Sequence, residues 1–172
     1  AICNAYDHKP VFETSTNDEF ALLTDRQLTR EQANSLCQNI YGYGLATIYS
    51  FYEFNEINDM LMTYDIDDAW IGLHFDNSTF IDSNNLDNNY GWETQTDFIF
   101  DSWTLDIWKG DDTFPDPSYS DDKFCVIQTN GSESEWQLIN CNLTSYAICN
   151  YDTHEPEFTS SQLGSFYLLE SH

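Results

Sequence analysis

Apolar residues near the start of the chain recur with the spacings of a short strand and an amphipathic helix. Residues 20–23 (Phe-Ala-Leu-Leu) are continuously apolar and predict the strand. Residues 29–32 (Thr-Arg-Glu-Gln) match the capping box that begins many helices. The apolar residues behind this box lie at i, i+3, i+4 and i+7, on one helix face: Ala33, Leu36, Cys37 and Ile40. The glycines at 42 and 44 predict where this helix ends.

The pattern then predicts a strand, a second helix and another strand. Residues 45–48 (Leu-Ala-Thr-Ile) form a short apolar run. Residues 50–53 (Ser-Phe-Tyr-Glu) resemble a second capping box. Apolar residues behind it predict a helix to about Thr63: Phe54, Ile57, Leu61 and Met62. Residues 69–73 (Ala-Trp-Ile-Gly-Leu) predict a strand between Asp-rich stretches.

The chain changes character between residues 75 and 120, where Asn, Asp, Ser and Thr dominate. Six large aromatic residues punctuate this region: Trp92, Phe98, Phe100, Trp103, Trp108 and Phe114. Long polar loops held by buried aromatic side chains fit this composition better than a regular sheet. Three more short strands are predicted at residues 124–127, 135–138 and 146–149. The order of strands, helices and loops indicates an α+β fold.

Composition indicates a folded domain with a strongly acidic surface. A chain of 172 residues is about one domain, and its apolar fraction of 41% is typical of a folded chain. Five basic and 30 acidic residues give a formal net charge of −25. Nucleic-acid binding is therefore not expected, because phosphate contacts need clustered Lys and Arg. Membrane insertion is not expected either, because no apolar stretch approaches the roughly 20 residues of a spanning helix.

The cysteines and glycosylation sequons point to an extracellular setting. The five cysteines are Cys3, Cys37, Cys125, Cys141 and Cys149. None forms a CxxC motif, so a zinc ribbon or thioredoxin-type site is not indicated, and the odd count suggests two disulfides with one cysteine left over. Three N-x-S/T sequons begin at Asn77, Asn130 and Asn142. Together these features predict a secreted or cell-surface protein that carries N-linked glycans.

Several of these segments resemble the motifs of one family. Residues 69–73 resemble the "WIGL" signature of the C-type lectin-like domain, and residues 44–53 resemble its "G-x-L-A-x-I-x-S-x-x-E" run into the second helix. Cys37 lies in the first predicted helix, and residues 146–149 (Tyr-Ala-Ile-Cys) resemble the closing strand of the family. The resemblance covers about residues 19 to 151, so we expect one such domain at residues 19–150.

The resemblance implies a C-type lectin-like fold with two helices, short antiparallel strands and long loops held by two disulfides. The implied disulfides are Cys37–Cys149 and Cys125–Cys141. It also implies that the chain ends meet, and that the middle loops form the side that faces a ligand. A loop-rich domain gains stability from such links, because each one constrains the unfolded chain.

Family members that bind sugar do so through Ca²⁺, held by an "E/Q-P-N/D" loop, a nearby acid and a "W-N-D" strand. Here residues 116–118 (Asp-Pro-Ser) match the first motif imperfectly, with Asp116 as the candidate ligand and Asp121 or Asp122 as the nearby acid. The strand reads Trp-Gln-Leu at 136–138, and leucine offers no oxygen. We therefore expect no required cofactor, and Ca²⁺ could bind this chain only at a site other than a complete lectin-type one.

Four tryptophans have two readings, as a sugar-stacking platform or as core anchors of the long loops: Trp92, Trp103, Trp108 and Trp136. A catalytic site is not indicated. The four histidines are dispersed, at positions 8, 74, 154 and 172, and neither an H-E-x-x-H motif nor a nucleophile elbow is present. The chain is predicted to be non-enzymatic.

The two ends of the chain repeat each other. Residues 1–26 align without gaps with residues 147–172, with 11 identities in 26 pairs. The sense of the repeat predicts an array with a period of about 146 residues. Residues 1–18 would end a preceding repeat and include a linker, and residues 151–172 would contain a linker and the first strand of a following one. Cys3 would then form an inter-module disulfide with a cysteine equivalent to Cys37. The alternative is a chance resemblance, with Cys3 a free or intermolecular thiol.

These observations predict a structural or adhesive extracellular module of a tandem C-type-lectin-like glycoprotein, for example a fibre or surface-coat subunit. Its expected partners are neighbouring copies or repeats, N-linked glycans and carbohydrate. The first alternative is a carbohydrate-binding lectin with a degraded calcium site. The second is an ice- or mineral-binding protein, for which the sequence shows no regular threonine array.

Overall fold

A computed structural model describes residues 9–75, 90–93, 107–108 and 123–151, without the side chains of residues 123 and 124. The described residues form two helices, α1 (Arg30–Tyr41) and α2 (Phe51–Thr63). They also form seven strands: β1 (Phe12–Thr14), β2 (Phe20–Leu28), β3 (Asp68–Phe75), β4 (Tyr90–Trp92), β5 (Lys123–Thr129), β6 (Trp136–Asn140) and β7 (Ser145–Asn150). No helix in this part of the chain is long and apolar enough to cross a membrane.

The described strands form one mixed sheet in the order β1-β2-β7-β3-β5-β6, with β4 paired to β3. The prediction of antiparallel strands holds for all the pairs except β3 and β7, which run parallel. In the β2–β7 pair, Phe20 lies opposite Asn150 and Leu23 lies opposite Ala147. The strands from the two ends of the domain are thus joined at the middle of the sheet.

The start and end of α1 follow the sequence signals. The Thr29 side chain accepts a hydrogen bond from the backbone N–H of Gln32, and the Gln32 side chain accepts one from the backbone N–H of Thr29. Gly42 has a φ of 81°, in the left-handed region where glycine avoids the steric penalty of a side chain. The predicted capping box of α1 is therefore confirmed.

The start of α2 differs in one contact from the predicted capping box. The backbone N–H of Glu53 donates to the Ser50 hydroxyl, as expected. The Glu53 carboxylate accepts a hydrogen bond of 2.7 Å from the backbone N–H of Tyr49, one residue before the N-cap. The carboxylate therefore also lies beside the positive end of the helix, where negative charge is stabilising.

Residues 45–48 do not form the predicted strand. Leu45 makes a single β-bridge to Cys149, and the backbone N–H of Ala46 donates to the Ile148 carbonyl. The Asn150 side chain then takes the place of a neighbouring strand, because its oxygen accepts from Thr47 N–H at 3.0 Å and its amide donates to Leu45 C=O at 3.1 Å. The segment is apolar because it is buried, and side-chain hydrogen bonds satisfy its backbone.

The core lies on both faces of the sheet, which explains the continuous apolar run in β2. Phe20 and Leu22 pack into a cluster with α2, whereas Ala21 and Leu23 pack into a second cluster with α1. Successive strand residues point to opposite faces, so a strand covered on both sides is apolar throughout. β2 also runs to Leu28, beyond the predicted residues 20–23, where its exposed residues alternate with partly buried ones.

Gly72 in β3 lies where the backbone of residues 45–46 crosses the sheet. Its N–H donates to the Ala46 carbonyl at 2.8 Å. A methyl group at position 72 would lie 2.7 Å from the carbonyl oxygens of both Leu45 and Ala46. The glycine of the Trp-Ile-Gly-Leu run is therefore required by a close backbone approach.

Both disulfides implied by the resemblance are present. Cys37 of α1 is bonded to Cys149 of β7, and Cys125 of β5 to Cys141, which follows β6. The first closes a sequence separation of 112 residues and the second a separation of 16. Cys37 and Cys149 are fully buried, so this bond lies inside the core between α1 and the sheet.

Candidate functional site

The described residues from the middle of the chain contribute to a cluster of aromatic rings packed mostly edge to face. The ring centroids of Phe75 and Tyr90 are 5.0 Å apart, and those of Tyr90 and Trp108 are 5.5 Å apart. Trp136 lies 5.6 Å from Trp108 and 5.8 Å from Trp92, edge to face in both cases. The cluster joins β3, β4 and residues 107–108 to β6 through aromatic contacts.

Three of the four tryptophans proposed as a ligand platform are core residues. Trp92, Trp108 and Trp136 are 4%, 3% and 0% exposed, so they offer no ring face to a sugar. The Trp136 indole N–H donates to the side-chain oxygen of Gln128, which is itself buried. In the structure these three tryptophans are therefore core anchors and not a sugar-stacking platform. Trp103 lies outside the described residues.

A partly buried ion pair joins Arg30 at the start of α1 to Glu93, the residue after β4. The Arg30 guanidinium lies 2.6 Å from the Glu93 carboxylate, with side-chain exposures of 11% and 19%. Asn34 donates to the other oxygen of Glu93 at 3.2 Å, and Arg30 also donates to the Gly72 carbonyl at 3.3 Å. His74 lies within 3.8 Å of Glu93. These contacts hold α1, β3 and the residue after β4 together.

Arg30, Glu93 and Asn150 were not identified from the sequence. Arg30 stands at the first position of a predicted helix, where a charged residue is ordinarily exposed. Glu93 is one of 30 acidic residues, and nothing in its neighbourhood distinguishes it from the others. Asn150 did carry a signal, because it recurs as Asn4 in the terminal repeat.

In β6, the strand that would complete a lectin-type calcium site, the side chains make other contacts. Leu138 lies against the core cluster that contains Trp136, and it pairs with Val126 of β5. Gln137 donates to the Glu135 carboxylate at 3.4 Å. Within the described residues, no group of three or more His, Cys, Asp or Glu side chains is placed to hold a metal ion. The candidate ligands Asp116, Asp121 and Asp122 lie outside the described residues.

Two of the three sequons lie in the described part of the chain, and their surroundings differ. Asn130 is half-buried at the turn after β5, and its side chain donates to the Ile66 carbonyl at 2.9 Å. Asn142 is exposed in the turn between β6 and β7. Asn77 and Cys3 lie outside the described residues.

The chain enters and leaves the domain at one corner, beside Tyr41 at the end of α1. The Phe12 ring lies 5.2 Å from the Tyr41 ring, and the Tyr151 ring lies 5.3 Å from it on edge. Burial, with a smaller contribution from the charge of Tyr151, raises the pKa of Tyr41 above its usual value. Within the described residues, the segment before β2 and the residue after β7 therefore meet at this corner.

A family model for the lectin C-type domain matches residues 26–151, more than half of the chain. The chain belongs to the C-type lectin domain family. The C-type lectin-like fold, with two helices, a mixed sheet and two disulfides, is thus confirmed. This family is generally non-enzymatic, and its domains are typically secreted or displayed at the cell surface. No curated protein matches the chain.

Solved C-type lectin-like structures share the fold at low sequence identity. Human lithostathine is 17% identical with a TM-score of 0.58, over 83% of this chain and 97% of its own. The carbohydrate-recognition domain of the mouse scavenger receptor C-type lectin is also 17% identical, with a TM-score of 0.58, over 86% and 99%. A calcium-independent type II antifreeze protein is 19% identical, with a TM-score of 0.57, over 83% and 95%. Since these proteins differ in function, the structural similarity shows only that this chain shares their fold.

Proposed function

We propose that this chain is a non-enzymatic extracellular module of a tandem C-type-lectin-like glycoprotein, with a structural or adhesive role such as that of a fibre or surface-coat subunit. The observation that carries the proposal is the repeat of residues 1–26 at residues 147–172. Internal repeats with a fixed period are the sequence signature of arrays. The repeat, and not the position of either chain end, supports this reading.

The identities in the repeat fall on the two partners of one strand pair. The sequence Ala-Ile-Cys-Asn at 147–150 belongs to β7 and recurs at residues 1–4. The β2 residues Phe20, Leu22 and Leu23 recur at positions 166, 168 and 169. The chain therefore carries a second copy of each partner. In an array, the adjoining repeats would supply the strands that these extra copies pair with.

Further identities fall on residues with defined structural roles. Phe12, repeated as Phe158, packs on Tyr41. Ser15, repeated as Ser161, is buried and accepts hydrogen bonds from the backbone N–H groups of Glu19 and Phe20 in the turn before β2. A chance resemblance would not favour residues that the fold uses in this way.

The cysteine pairing supports the same proposal. Four of the five cysteines are bonded to one another, so the chain has no cysteine left for Cys3. Cys3 aligns with Cys149, whose partner is Cys37. In an array, the partner of Cys3 would be the cysteine equivalent to Cys37 in the preceding repeat.

The corner at Tyr41 constrains how such modules would be arranged. Six residues, 152–157, separate Tyr151 from Phe158, the counterpart of Phe12. A connector of this length spans at most about 25 Å when fully extended, whereas a domain of this size is about 35 Å across. Since each module is entered and left at one corner, we expect the modules to project from a common spine of connectors.

The acidic surface is consistent with modules that repel one another along such an array. The 172-residue chain has a net charge of −25, so each repeat would be strongly acidic, and this charge opposes close contact between neighbouring repeats at low salt. The two disulfides are typical of an oxidising, extracellular compartment. N-linked glycans would add further bulk to the surface.

The second candidate function is carbohydrate binding, favoured by the likeness to the mouse scavenger receptor carbohydrate-recognition domain. Leucine offers no oxygen ligand, and Leu138 packs against the core, which argues against calcium-dependent carbohydrate binding. We therefore expect isothermal titration to show no saturable Ca²⁺ binding, and glycan binding to be the same in Ca²⁺ and in EDTA. A stoichiometric, micromolar Ca²⁺ site would favour the lectin function over our proposal.

The array is tested by the mass of the native protein. We expect the reduced and deglycosylated native protein to have a mass that contains several 146-residue repeats. Sequencing of its peptides would show variant copies of residues 20–150. A native polypeptide of about 20 kDa with a single copy would contradict the proposal.

A further inference from the structure

Asn130 begins a glycosylation sequon, but in the structure its side chain holds two parts of the domain together. Its amide group donates to the Ile66 carbonyl at 2.9 Å, and its backbone N–H donates to the Asp67 carbonyl at 3.0 Å. Ile66 and Asp67 form the connection between α2 and β3. Asn130 thus fastens the turn after β5 to that connection.

The next residue of this sequon, Gly131, is held by a side chain of α2. The Asn58 side chain of α2 accepts a hydrogen bond from Gly131 N–H at 2.9 Å and donates one to Gly131 C=O at 3.1 Å. Gly131 has a φ of +102°, which a residue with a side chain rarely adopts. The backbone at residues 130–131 is therefore fixed by contacts from both Asn58 and the α2–β3 connection.

Asn142 also begins a glycosylation sequon, but it lies in an exposed turn. Its backbone N–H donates to the Asn140 side chain at 2.8 Å, and Leu143 N–H donates to Asn140 C=O at 3.1 Å. Asn142 and Thr144 are both exposed, and Leu143 is 55% exposed. The whole sequon stands on the surface, where a bulky glycan meets no packed neighbour.

We infer that Asn142 carries an N-linked glycan in the folded protein and that Asn130 stays unmodified. The inference rests on the extracellular setting of the proposed function. The donor is a lipid-pyrophosphate-linked oligosaccharide. The Asn142 Nδ2 forms a bond to the anomeric carbon of the oligosaccharide, the bond from that carbon to the pyrophosphate oxygen breaks, Nδ2 loses one proton, and the lipid pyrophosphate leaves.

The folded structure accommodates a glycan on Asn142 but not on Asn130. An oligosaccharide on Asn130 would be attached to the nitrogen that lies 2.9 Å from the Ile66 carbonyl, inside a half-buried contact. Such a chain would lose that hydrogen bond or distort the turn, and a buried carbonyl without a partner is destabilising. A glycan on Asn142 leaves the contacts of its turn unchanged, because these use backbone N–H groups and the Asn140 side chain.

The test uses the full 172-residue chain secreted from eukaryotic cells, with Asn77→Gln so that only these two sequons remain. Enzymatic release of glycans in heavy-oxygen water marks each occupied asparagine as a labelled aspartate. We expect label at Asn142 and none at Asn130 in the secreted, disulfide-bonded protein. Label at Asn130, or its absence from Asn142, would overturn the inference.

Matched variants separate the acceptor role from the structural role. Thr144→Ala destroys one sequon and should remove the single glycan from the mass. Ser132→Ala destroys the other and should leave both the glycan mass and the melting temperature unchanged, whereas Asn130→Gln should lower the melting temperature measurably. A loss of glycan mass in Ser132→Ala would contradict the inference. None of these results bears on the array, which is tested by the repeat content of the native polypeptide.

Discussion

Leu22 lies directly opposite Ile148 across the antiparallel pair of β2 and β7, and both side chains are fully buried. The same two residues recur at the far ends of the chain, as Leu168 and Ile2. The pair closes the domain, because it joins the first long strand to the last. A chain that carries both partners twice could pair them in more than one way, and the sequence contains a feature that limits this.

Position 21 distinguishes β2 of this domain from the matching segment of the terminal repeat. Ala21 is fully buried in the cluster that contains Cys37 and Cys149, and its counterpart in the repeat is Tyr167. We predict that Ala21→Tyr destabilises the domain by about 1–3 kcal/mol or more, since a larger side chain overpacks a filled core. Denaturant unfolding measures this.

The matched control is Gln27→Tyr, an exposed site on the same strand, which should change the stability by less than about 0.5 kcal/mol. Equal stabilities of the two variants would show that the position tolerates the strand of a following repeat. Modules could then exchange these strands with their neighbours.

Gly72 and Gly91 offer a second matched pair, one on β3 and one on β4. We predict that Gly72→Ala costs about 3 kcal/mol, at the upper end of overpacking effects, because the clash is with two backbone carbonyls at 2.7 Å. Gly91→Ala should be neutral or slightly stabilising, since the nearest atom to its added methyl group is 3.9 Å away. Thermal unfolding of the two variants compares them, and a stable Gly72→Ala variant would mean that the close approach is wrong.

The ion pair of Arg30 and Glu93 should matter far more than an exposed pair. Glu93→Gln leaves a largely buried guanidinium without its charged partner, so we expect a loss of about 2–3 kcal/mol in unfolding free energy. The control is Asp25→Asn, which removes the partner of Arg26 at a more exposed site and should cost about 0–1 kcal/mol. Losses of equal size would contradict the role given to Glu93.

Alkaline pH should destabilise the corner where the chain enters and leaves. The pKa of Tyr41 is raised by burial, and the neighbouring Tyr151 adds to the shift. The unfolded chain therefore releases this proton at a lower pH than the folded one. Stability is unaffected below the ordinary tyrosine pKa of about 10, and decreases as the pH rises above it.

The difference between the ultraviolet titration curves of the natural protein and Tyr41→Phe isolates this residue. We expect the missing component to titrate above an ordinary tyrosine. A component at or below the usual pKa would show that Tyr41 is not covered by Phe12 and Tyr151.

The sequence was sufficient to predict most of the elements that local signals define. The capping box at Thr29 is confirmed, and the strand predicted at residues 69–73 lies within β3. The apolar face predicted for α1 is confirmed only in part, because Ala33 and Cys37 are buried and Leu36 is partly buried, whereas Ile40 is 43% exposed. The strand predicted at residues 45–48 was wrong, because an apolar run shows burial and does not show which group satisfies its backbone. Here the Asn150 side chain does so from 103 residues away, and no local pattern reveals that contact.

The short strand β1 was not predicted for a related reason. Only three residues long, it pairs with β2 through residues that read as part of a polar stretch. The role of the tryptophans was likewise not fixed by the sequence alone, since an aromatic residue in a polar region can serve a binding surface, although it more often anchors a loop. The burial of Trp92, Trp108 and Trp136 favours the anchor for these three.

The central claim, that this domain is one unit of an array, is tested most directly by the partner of Cys3. Native protein is digested without reduction, and the peptide that contains Cys3 is identified by mass spectrometry together with the peptide bonded to it. We predict a partner peptide from the first helix of another repeat, at the position equivalent to Cys37. A free thiol at Cys3, or a bond between two copies of Cys3, would contradict the account.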